Sequence, residues 1–422
     1  MRFLYSLVLL LLLPPVFSWF MWRSLRQTGH ADHWGERFGS SPYLPPKEAL
    51  WVHAASVGEV RAAAPLVNAL HQRNPQRPII VTCFTATGRA QAQRTFAGRV
   101  VVTQLPYDLG FCVRRWLGSV QPRLGIILET EIWPNLLHAC GRARLPVLVV
   151  SARMSSRSLR RYRRSRGLMR RALAGVRIIA AQTAADAECF QQIGVPAARL
   201  QVAGNLKFDV EFTASLAAEG AALRTRLFGE CTVIVAGSTH EHEERQVLEA
   251  FRALLATQPK CVLVLAPRHP ERAPAVAALA LALGFTVIRR SAGEAVMRAG
   301  SVLLLDSLGE LTRFYAAGDI AFVGGSLVPI GGHNLLEPAA LGLPVISGPQ
   351  LANVSDIATL LKDAGGLTVV SDASVLARAF TWLAADSGTR RRIGQAAAQI
   401  VSANRGTLGR VLALVEQTLA ES

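Results

Sequence analysis

A single acid follows an apolar run near the start of the chain, and its position suggests chemistry. The run, ALWVHAAS over 49–56, is typical of a buried strand, and Gly58 and Glu59 come directly after it. A carboxylate on a turn at the end of a strand can act as a general base. The spacing of Ser56 and Glu59 also fits a capping box that opens a helix. Spacing alone leaves both roles open for Glu59.

Polar residues also end most of the other strand-like runs. They include Glu129, Glu131, Arg153, Asn205 and Lys207 in the first half, and Gly237, Ser238, Thr239, Arg268, His269 and 306–310 in the second. Ligands of doubly wound sheets bind beyond the carboxyl ends of the strands. These residues are therefore candidates for ligand binding in both halves of the chain.

The segment 324–342, GGSLVPIGGHNLLEPAALG, has the most specific pattern. Gly-rich turns let backbone N–H groups approach an anion at a helix N-terminus. Asn334 as the N-cap and Glu337 three residues later fit a helix cap. Because the Glu337 carboxylate would repel an anion bound at this turn, its functional alternative is to accept hydrogen bonds from ribose hydroxyls. The segment matches neither GxGxxG nor GxxxxGK[ST], so neither the dinucleotide fingerprint nor a P-loop is indicated.

Metal and disulfide chemistry are disfavoured. His240 and His242 lie two residues apart in THEHEER, without an HExxH motif, and a polar first helical turn capped by Ser238 or Thr239 explains them better. The six cysteines are spread along the chain with no CxxC pair. This spacing argues against a zinc ribbon or a disulfide framework and suits a reducing compartment.

The chain must build more than one core, since 422 residues correspond to two or three domains at about 150 residues each. After residue 48, β-branched runs alternate with helical stretches, which predicts βαβ units and parallel sheets covered by helices on both faces. The alternation pauses after residue 206 and then restarts. We predict an α/β protein of two doubly wound Rossmann-like domains, 30–210 and 211–422, facing each other across a cleft. The last helix, about 405–420, could pack against either domain.

The N-terminal segment 3–22, FLYSLVLLLLLPPVFSWFMW, is uncharged and mostly apolar. Its length suffices to span about 30 Å of hydrocarbon, and Trp19 and Trp22 suit an interfacial belt followed by Arg23. A cleaved signal peptide is the alternative, but no small-x-small site follows directly. We predict an uncleaved membrane-anchor helix over 1–22, with the rest of the chain on the cytoplasmic side.

The net charge of +17 points to an anionic partner: nucleic acid, anionic membrane or phosphorylated substrate. Arginines concentrate in 151–177, and no acid occurs between Glu131 and Asp186. A solvated charged face is the simplest explanation. Because an anchor is predicted and no RRM, KH or zinc signature occurs, we expect instead an Arg face on the anionic headgroups of a membrane leaflet, and no nucleic-acid partner.

Several motifs together resemble one family. They are HAASVGEV, ETEIWPNLL, SARMSSRS, AGNLKFD, GSTHEHEE, APRHPER, SLGEL and FVGGSLVPIGGHNLLEPAALG, in this order over nearly the whole chain. With the N-terminal anchor, they resemble the 3-deoxy-D-manno-octulosonic acid (Kdo) transferases of lipopolysaccharide biosynthesis. One departure is His242, where the family more often has Gly.

The resemblance implies a GT-B glycosyltransferase of the cell inner membrane that uses CMP-Kdo as donor and the lipid A precursor lipid IVA as acceptor. It implies that Glu59 is the catalytic base and that neither a metal nor another cofactor is needed. The CMP-Kdo contacts it implies are Pro267, Arg268, Leu308, Gly309, Glu310, Asn334, Leu335, Leu336 and Glu337, with Lys207 a weaker candidate for the leaving phosphate. On the acceptor side, the weaker candidates are Ser56, Glu129 and Arg153.

Two alternatives differ from this interpretation in the reaction or in the class of protein. One is a GT-B transferase that uses another nucleotide sugar, and the other is a membrane-tethered protein that binds a nucleotide sugar without catalysis. Loss of transfer with nucleotide binding intact in a Glu59→Ala variant would separate a catalyst from a binding protein.

Overall fold

The computed structural model describes residues 2–11, 34–40, 48–209, 214–293 and 296–421. They form two compact units, one extending to Asp209 and including the C-terminal segment from Asn404, and one comprising Val210–Ala403. Each unit contains a seven-stranded parallel sheet among its described residues. The prediction of two doubly wound α/β domains is therefore confirmed.

The first unit has strand order β3-β2-β1-β4-β5-β6-β7. Its strands are β1 (Leu50–His53), β2 (Ile79–Cys83), β3 (Val101–Gln104), β4 (Leu124–Leu128), β5 (Val147–Ala152), β6 (Ile178–Ala181) and β7 (Leu200–Val202). The helices are α1 (2–11), α2 (Trp34–Arg37), α3 (Val57–Arg73), α4 (Ala86–Phe96), α5 (Gly110–Val120), α6 (Pro134–Arg142), α7 (Ser156–Arg164), α8 (Arg166–Leu173) and α9 (Ala184–Gln192), with 3₁₀ turns at Ala197–Arg199 and Leu206–Phe208.

The second unit has strand order β10-β11-β9-β8-β12-β13-β14. Its strands are β8 (Thr232–Thr239), β9 (Cys261–Pro267), β10 (Val287–Arg289), β11 (Val302–Leu304), β12 (Ile320–Val323), β13 (Val345–Ser347) and β14 (Leu367–Val369). The helices are α10 (Ala214–Leu227), α11 (Glu243–Leu255), α12 (Ala273–Ala282), α13 (Leu311–Ala317), α14 (Leu336–Ala340), α15 (Ser355–Asp363), α16 (Ala373–Ala385) and α17 (Ser387–Ala403), with 3₁₀ turns at Pro270–Arg272 and Arg290–Ala292.

The central strands are buried from end to end because helices cover both faces of each sheet. Every residue of β1, β2, β4 and β5 is buried. Side chains that alternate along these strands enter two separate apolar clusters: Val52 packs in one, and Trp51 in the other. This explains the nearly continuous apolar runs of the sequence.

The last helix, α18 (Thr407–Ala420), belongs to the first unit. Val411 and Val415 pack in the same apolar cluster as Val52. Asp209 fixes the start of the helix, because its carboxylate accepts the N–H groups of Gly406 and Leu408, each at 2.6 Å. The predicted range 211–422 for the second domain therefore differs from the structure at its C-terminal end.

Only part of the predicted anchor is described: residues 2–11 are helical, and 12–22 lie outside the described residues. No helix among the described residues combines the length and apolarity needed to cross a bilayer. Residues 2–11 are attached to the first unit, since the Tyr5 hydroxyl donates to the buried Asp108 carboxylate at 2.9 Å. The same carboxylate accepts the N–H groups of Asn135 and Leu136 at the start of α6, at 3.0 and 2.7 Å.

Candidate active site

Glu59 lies in the first turn of α3, directly after strand β1, and its carboxylate helps to cap that helix. One oxygen, Oε2, accepts the N–H of Ala55 at 2.8 Å, and the other, Oε1, accepts the hydroxyl of Ser56 at 3.0 Å. Ser56 is the N-cap residue, and its Oγ accepts the N–H of Glu59 at 3.4 Å. The capping role that the spacing allowed is thus present.

The surroundings of Glu59 also suit a base. Glu59 is 8% exposed, and this burial raises the pKa of its carboxyl to about 7. The negative charges of Glu131 and Glu129 act in the same direction on that pKa. The N–H of Ala55 and the nearby His53 oppose the rise. A general base is most effective when its pKa lies near the working pH, and each carboxylate oxygen has a second lone pair for a substrate proton.

His53 is a neighbour of Glu59 that sequence reasoning missed. It ends β1, is fully buried, and its Nδ1 atom is hydrogen-bonded to the hydroxyl and carbonyl oxygens of Thr82 at 2.9 and 3.0 Å. Its Nε2 atom has no hydrogen-bond partner in the described part of the chain and lies 3.9 Å from Glu131 Oε2. The only sequence signal was a polar residue inside an apolar run, which is equally typical of a satisfied core histidine.

Glu129 follows β4 and is held between two cations. Lys207 Nζ donates to its Oε1 atom at 2.7 Å, and Arg153 Nε lies 3.3 Å from its Oε2 atom. Glu129 adopts a left-handed backbone conformation with φ of 56°, which is uncommon for a residue with a side chain. Lys207, a predicted contact of the leaving phosphate, therefore already has a carboxylate partner.

The structure brings the first-unit candidates together. Ser56, Glu59, Glu129, Arg153 and Lys207 all lie at the carboxyl ends of strands in one sheet, and the carboxylates of Glu129 and Glu131 lie close enough to Glu59 to act on its pKa. The cluster can hold a proton on a buried carboxylate and offers two partly exposed cations nearby.

Pro267 ends β9 in the second unit, and Arg268 follows it. Pro267 pairs with Thr239 in the register between β8 and β9, and the N–H of Arg268 donates to the carbonyl oxygen of Thr239 at 2.8 Å. The guanidinium of Arg268 is half-buried and makes no ion pair or hydrogen bond with any other described residue. It is therefore a cation available to an anionic ligand.

The segment 308–310 precedes α13. Leu308 is 79% exposed, and Gly309 has a φ of 87°, which favours glycine. The Glu310 carboxylate is held by Arg290 through Nε and Nη2, the shortest distance being 2.9 Å. Hydrogen bonding to Arg290 is the main cause that lowers the pKa of Glu310, so this acid is ionised and already paired.

The segment 334–337 differs in detail from the predicted cap. Helix α14 begins at Leu336, so Leu335 is the N-cap residue, although Asn334 Oδ1 does accept the N–H of Leu336 at 3.1 Å. The Asn334 amide donates to Glu337 Oε1 at 2.9 Å. The side chains of Leu335 and Leu336 are buried in the core, so only their backbone could contact a ligand.

Glu243 is, after His53, another residue whose role sequence reasoning missed. It is fully buried in the first turn of α11 and accepts the N–H groups of Gly325, Ser326 and Leu327 at 2.7, 3.0 and 2.9 Å. It also accepts the N–H of His240 at 3.2 Å. Glu243 therefore fixes the glycine-rich segment that the sequence singled out, and its partners are too far away in the chain for a local pattern to show this.

No group of His, Cys, Asp or Glu among the described residues is arranged to hold a metal ion. The six cysteines are all free thiols. His240 and His242 do not converge: His240 contacts His333, while His242 is the exposed N-cap of α11.

A family model and two full-length relatives relate this chain to the same family. Residues 32–210 match the model of a family described as 3-deoxy-D-manno-octulosonic-acid transferase (kdotransferase). The chain is 38% identical to the 3-deoxy-D-manno-octulosonic acid transferase of Haemophilus influenzae, with 99% of both chains covered. It is also 38% identical to the enzyme of the same name from Bordetella pertussis, again with 99% of both chains covered.

The fold is similar to that of solved structures with little sequence identity. The crystal structure of Acinetobacter baumannii MurG matches with a TM-score of 0.57 at 12% identity, covering 88% of this chain and 100% of that one. This similarity concerns the fold alone. Together with the two parallel-sheet units, it supports the predicted GT-B fold.

Proposed function

The chain belongs to the Kdo transferase family and is a glycosyltransferase, and from this premise we propose that it transfers Kdo from CMP-Kdo to the lipid A precursor lipid IVA. The observation that carries the proposal is the buried Glu59 carboxylate, whose pKa is raised to about 7 at the carboxyl edge of the first sheet. A hydroxyl of the acceptor sugar must lose a proton as it attacks, and a base of this pKa can take it near neutral pH.

The proposed reaction is an inverting displacement without a metal. Glu59 takes the proton from the acceptor hydroxyl, the new bond forms at the anomeric carbon of Kdo, and the bond from that carbon to the CMP phosphate oxygen breaks. Positive charge develops at the anomeric carbon, as in other glycosyl transfers. The nucleotide leaves as CMP, which carries one phosphate rather than a diphosphate.

Donor binding is assigned to the second unit. Arg268 is a guanidinium without a protein partner in the described part of that unit, so it can bind the phosphate of CMP. The amide–carboxylate pair of Asn334 and Glu337, at 2.9 Å, offers oxygen acceptors for ribose hydroxyls. We assign Pro267, the segment 308–310 and the backbone of Leu335 and Leu336 to the walls of the same site.

A product assay with the purified full chain tests the proposal. The protein is mixed with CMP-Kdo and lipid IVA, with and without EDTA, and the products are read by mass spectrometry. We expect addition of Kdo to lipid IVA that EDTA does not abolish. Transfer from UDP- or GDP-sugars in place of CMP-Kdo, or no transfer to lipid IVA, would contradict the assigned substrates.

We also propose that the chain is held at the cytoplasmic face of the inner membrane by 3–22 and orients its first unit through the Arg-rich segment. This segment, residues 153–171, is mostly formed by the helices α7 and α8, which meet at Ser165. Its nine arginines are all exposed. Each basic residue near an anionic membrane contributes about 1 kcal/mol. No residue of α7 is fully buried, and only Leu159 and Tyr162 among its residues pack partly buried against the core of the first unit.

Transfer to lipid IVA in anionic vesicles, compared with lipid IVA in detergent micelles, tests this docking. Replacing Arg160, Arg163 and Arg164 by Ser should lower turnover on vesicles at about 0.15 M salt and leave turnover in micelles unchanged, since micelles need no oriented docking. A variant with Arg378, Arg391 and Arg392 replaced by Ser makes the same charge change on the second unit and should behave as wild type. Equal turnover of both variants on vesicles would leave the Arg segment as a solvated face.

A further inference from the structure

Three histidines meet at the carboxyl edge of the second sheet. His240 follows β8, His269 follows β9, and His333 lies in the glycine-rich segment after β12. These strands are neighbours in the order β9-β8-β12. The Nε2 atoms of His240 and His333 are 2.8 Å apart, and the ring of His269 lies edge-on to that of His240 with centroids 5.7 Å apart.

The contact between His240 and His333 limits where their protons can be. A hydrogen bond between two Nε2 atoms needs one donor and one acceptor, so a neutral pair keeps one Nδ1–H and one bare Nδ1. One additional proton gives the pair a single positive charge and a hydrogen on both Nδ1 atoms. The charged pair is then a cation with two N–H donors, whereas the neutral pair has only one.

The fold holds this pair in place. A Cβ atom on Gly325 would come within 2.8 Å of the His333 ring, so the absence of a side chain at Gly325 makes room for it. Gly325 has a left-handed φ of 68°, and its N–H is bound by the fully buried Glu243. Glu243 also accepts the N–H of His240, so one carboxylate positions both halves of the pair.

The charges around His240 favour its neutral form when no ligand is bound. Burial lowers the pKa of His240, and His269, Arg268 and Arg272 lower it further. Arg272 is partly neutralised by Glu241 and Glu244, at 3.1 and 3.2 Å. A bound anion would reverse this balance, because it favours the charged pair.

We propose that the His240–His333 pair binds the carboxylate of the donor sugar and takes up one proton when it does so. This inference rests on the proposed CMP-Kdo donor, in which the sugar is an acid and the nucleotide adds a phosphate. Arg268 is an available cation for the phosphate, and the histidine pair, close enough for Arg268 to act on the pKa of His240, is a second anion site for the carboxylate. Donor affinity then falls as pH rises, because the charged pair becomes harder to form.

Calorimetry with CMP-Kdo and with CMP, on the full chain without acceptor, tests the inference. His240→Gln and His333→Gln keep a hydrogen-bonding side chain but cannot take up a proton near neutral pH. We expect each variant to bind CMP-Kdo roughly 10- to 100-fold more weakly, the range for a charge-assisted hydrogen bond, and to bind CMP as wild type does. The double variant should be little weaker than either single variant, because the two rings act as one unit.

Proton uptake gives a second readout. Titrations of CMP-Kdo in buffers of different ionisation enthalpy should show uptake of up to one proton by the wild type and less by either variant. His242→Asn is the matched control: His242 is exposed and outside the pair, its backbone has a φ of 67°, and Asn tolerates that conformation. It should retain wild-type affinity and proton uptake.

Two results would overturn the inference. Equal weakening of CMP and CMP-Kdo in the histidine variants would assign the pair to the nucleotide, and unchanged CMP-Kdo affinity would remove it from the donor site. Either result leaves the assignment of CMP-Kdo as the donor unchanged, because that assignment fails only if the wild-type chain does not bind CMP-Kdo.

Discussion

Each unit carries a carboxylate in the first turn of the helix that follows its first strand, and the two carboxylates have different surroundings. Glu59 follows β1, and Glu243 follows β8. The Glu59 side chain has two donors, the N–H of Ala55 and the Ser56 hydroxyl. Glu243 has four backbone N–H donors, three of them from the segment 325–327.

This difference separates a reactive carboxylate from a structural one. Glu243 is enclosed by donors that stabilise its charge and has no route to a substrate, so it serves to shape the loop after β12. Glu59 has fewer donors, remains 8% exposed and lies near Glu129 and Glu131, which disfavour its charged form. The position of an acid after a strand is thus not enough to make it a base. The number of hydrogen-bond donors to its carboxylate and the sign of the neighbouring charges determine whether it can act as one.

The largest expected effect is on catalysis by Glu59→Gln. The amide keeps the shape and one accepting oxygen of the cap but loses the basicity, so kcat should fall roughly 100-fold or more, as for other general bases. Binding of CMP and the unfolding midpoint should stay near wild type. Near-normal turnover by a soundly folded Glu59→Gln enzyme would show that Glu59 is only a cap.

The converse change, Glu243→Gln, should act on stability. The amide would turn an N–H₂ group toward backbone donors, leaving buried N–H groups unpaired at a cost of about 2–3 kcal/mol in the free energy of unfolding. Urea unfolding measures this loss. Glu249→Gln, on the solvent side of the same helix and 4.0 Å from Arg245, is the control and should change stability by less than about 0.5 kcal/mol. A Glu243→Gln protein as stable as this control would contradict the structural role.

A smaller effect is expected for the cap that Glu59 shares with Ser56. Ser56→Ala removes the hydroxyl that accepts the Glu59 N–H and donates to its carboxylate, so unfolding should become easier by about 1 kcal/mol. Turnover should fall far less than in Glu59→Gln. Thr183→Ala, which removes the N-cap of α9 in the same unit, should lower stability by a similar amount. If turnover in Ser56→Ala fell as far as in Glu59→Gln, the cap and not the base would account for activity.

The sequence was sufficient for features that depend on local pattern. Continuous apolar runs such as 49–55 identified buried parallel strands, and the ends of those runs located the polar residues of both sheets. The rule that ligands bind beyond the carboxyl ends of strands then selected Glu59 and Arg268 without any structure. Asn334 and Glu337 were found because a helix start leaves a local signature, although the helix begins one residue later than that signature implied.

Features that depend on contacts between distant residues could not be predicted. Glu243 meets the glycine-rich segment some 80 residues further along the chain, and His240 meets His333 only because β8 and β12 are neighbours in the sheet. The return of α18 to the first unit follows from its packing and from Asp209, about 200 residues earlier in the chain. Nothing in the amphipathic pattern of that helix distinguishes one apolar surface from another.

The pH dependence of kcat/KM for lipid IVA, measured at saturating CMP-Kdo, tests most directly whether Glu59 is the base. The active form has Glu59 deprotonated, and its pKa is raised to about 7, so activity should rise with pH through about 7 and then level off. Below that pH, kcat/KM should fall roughly tenfold for each pH unit, because each such step removes about nine-tenths of the Glu59 carboxylate that is still ionised. A profile that is flat between about pH 5 and 8 would contradict the account.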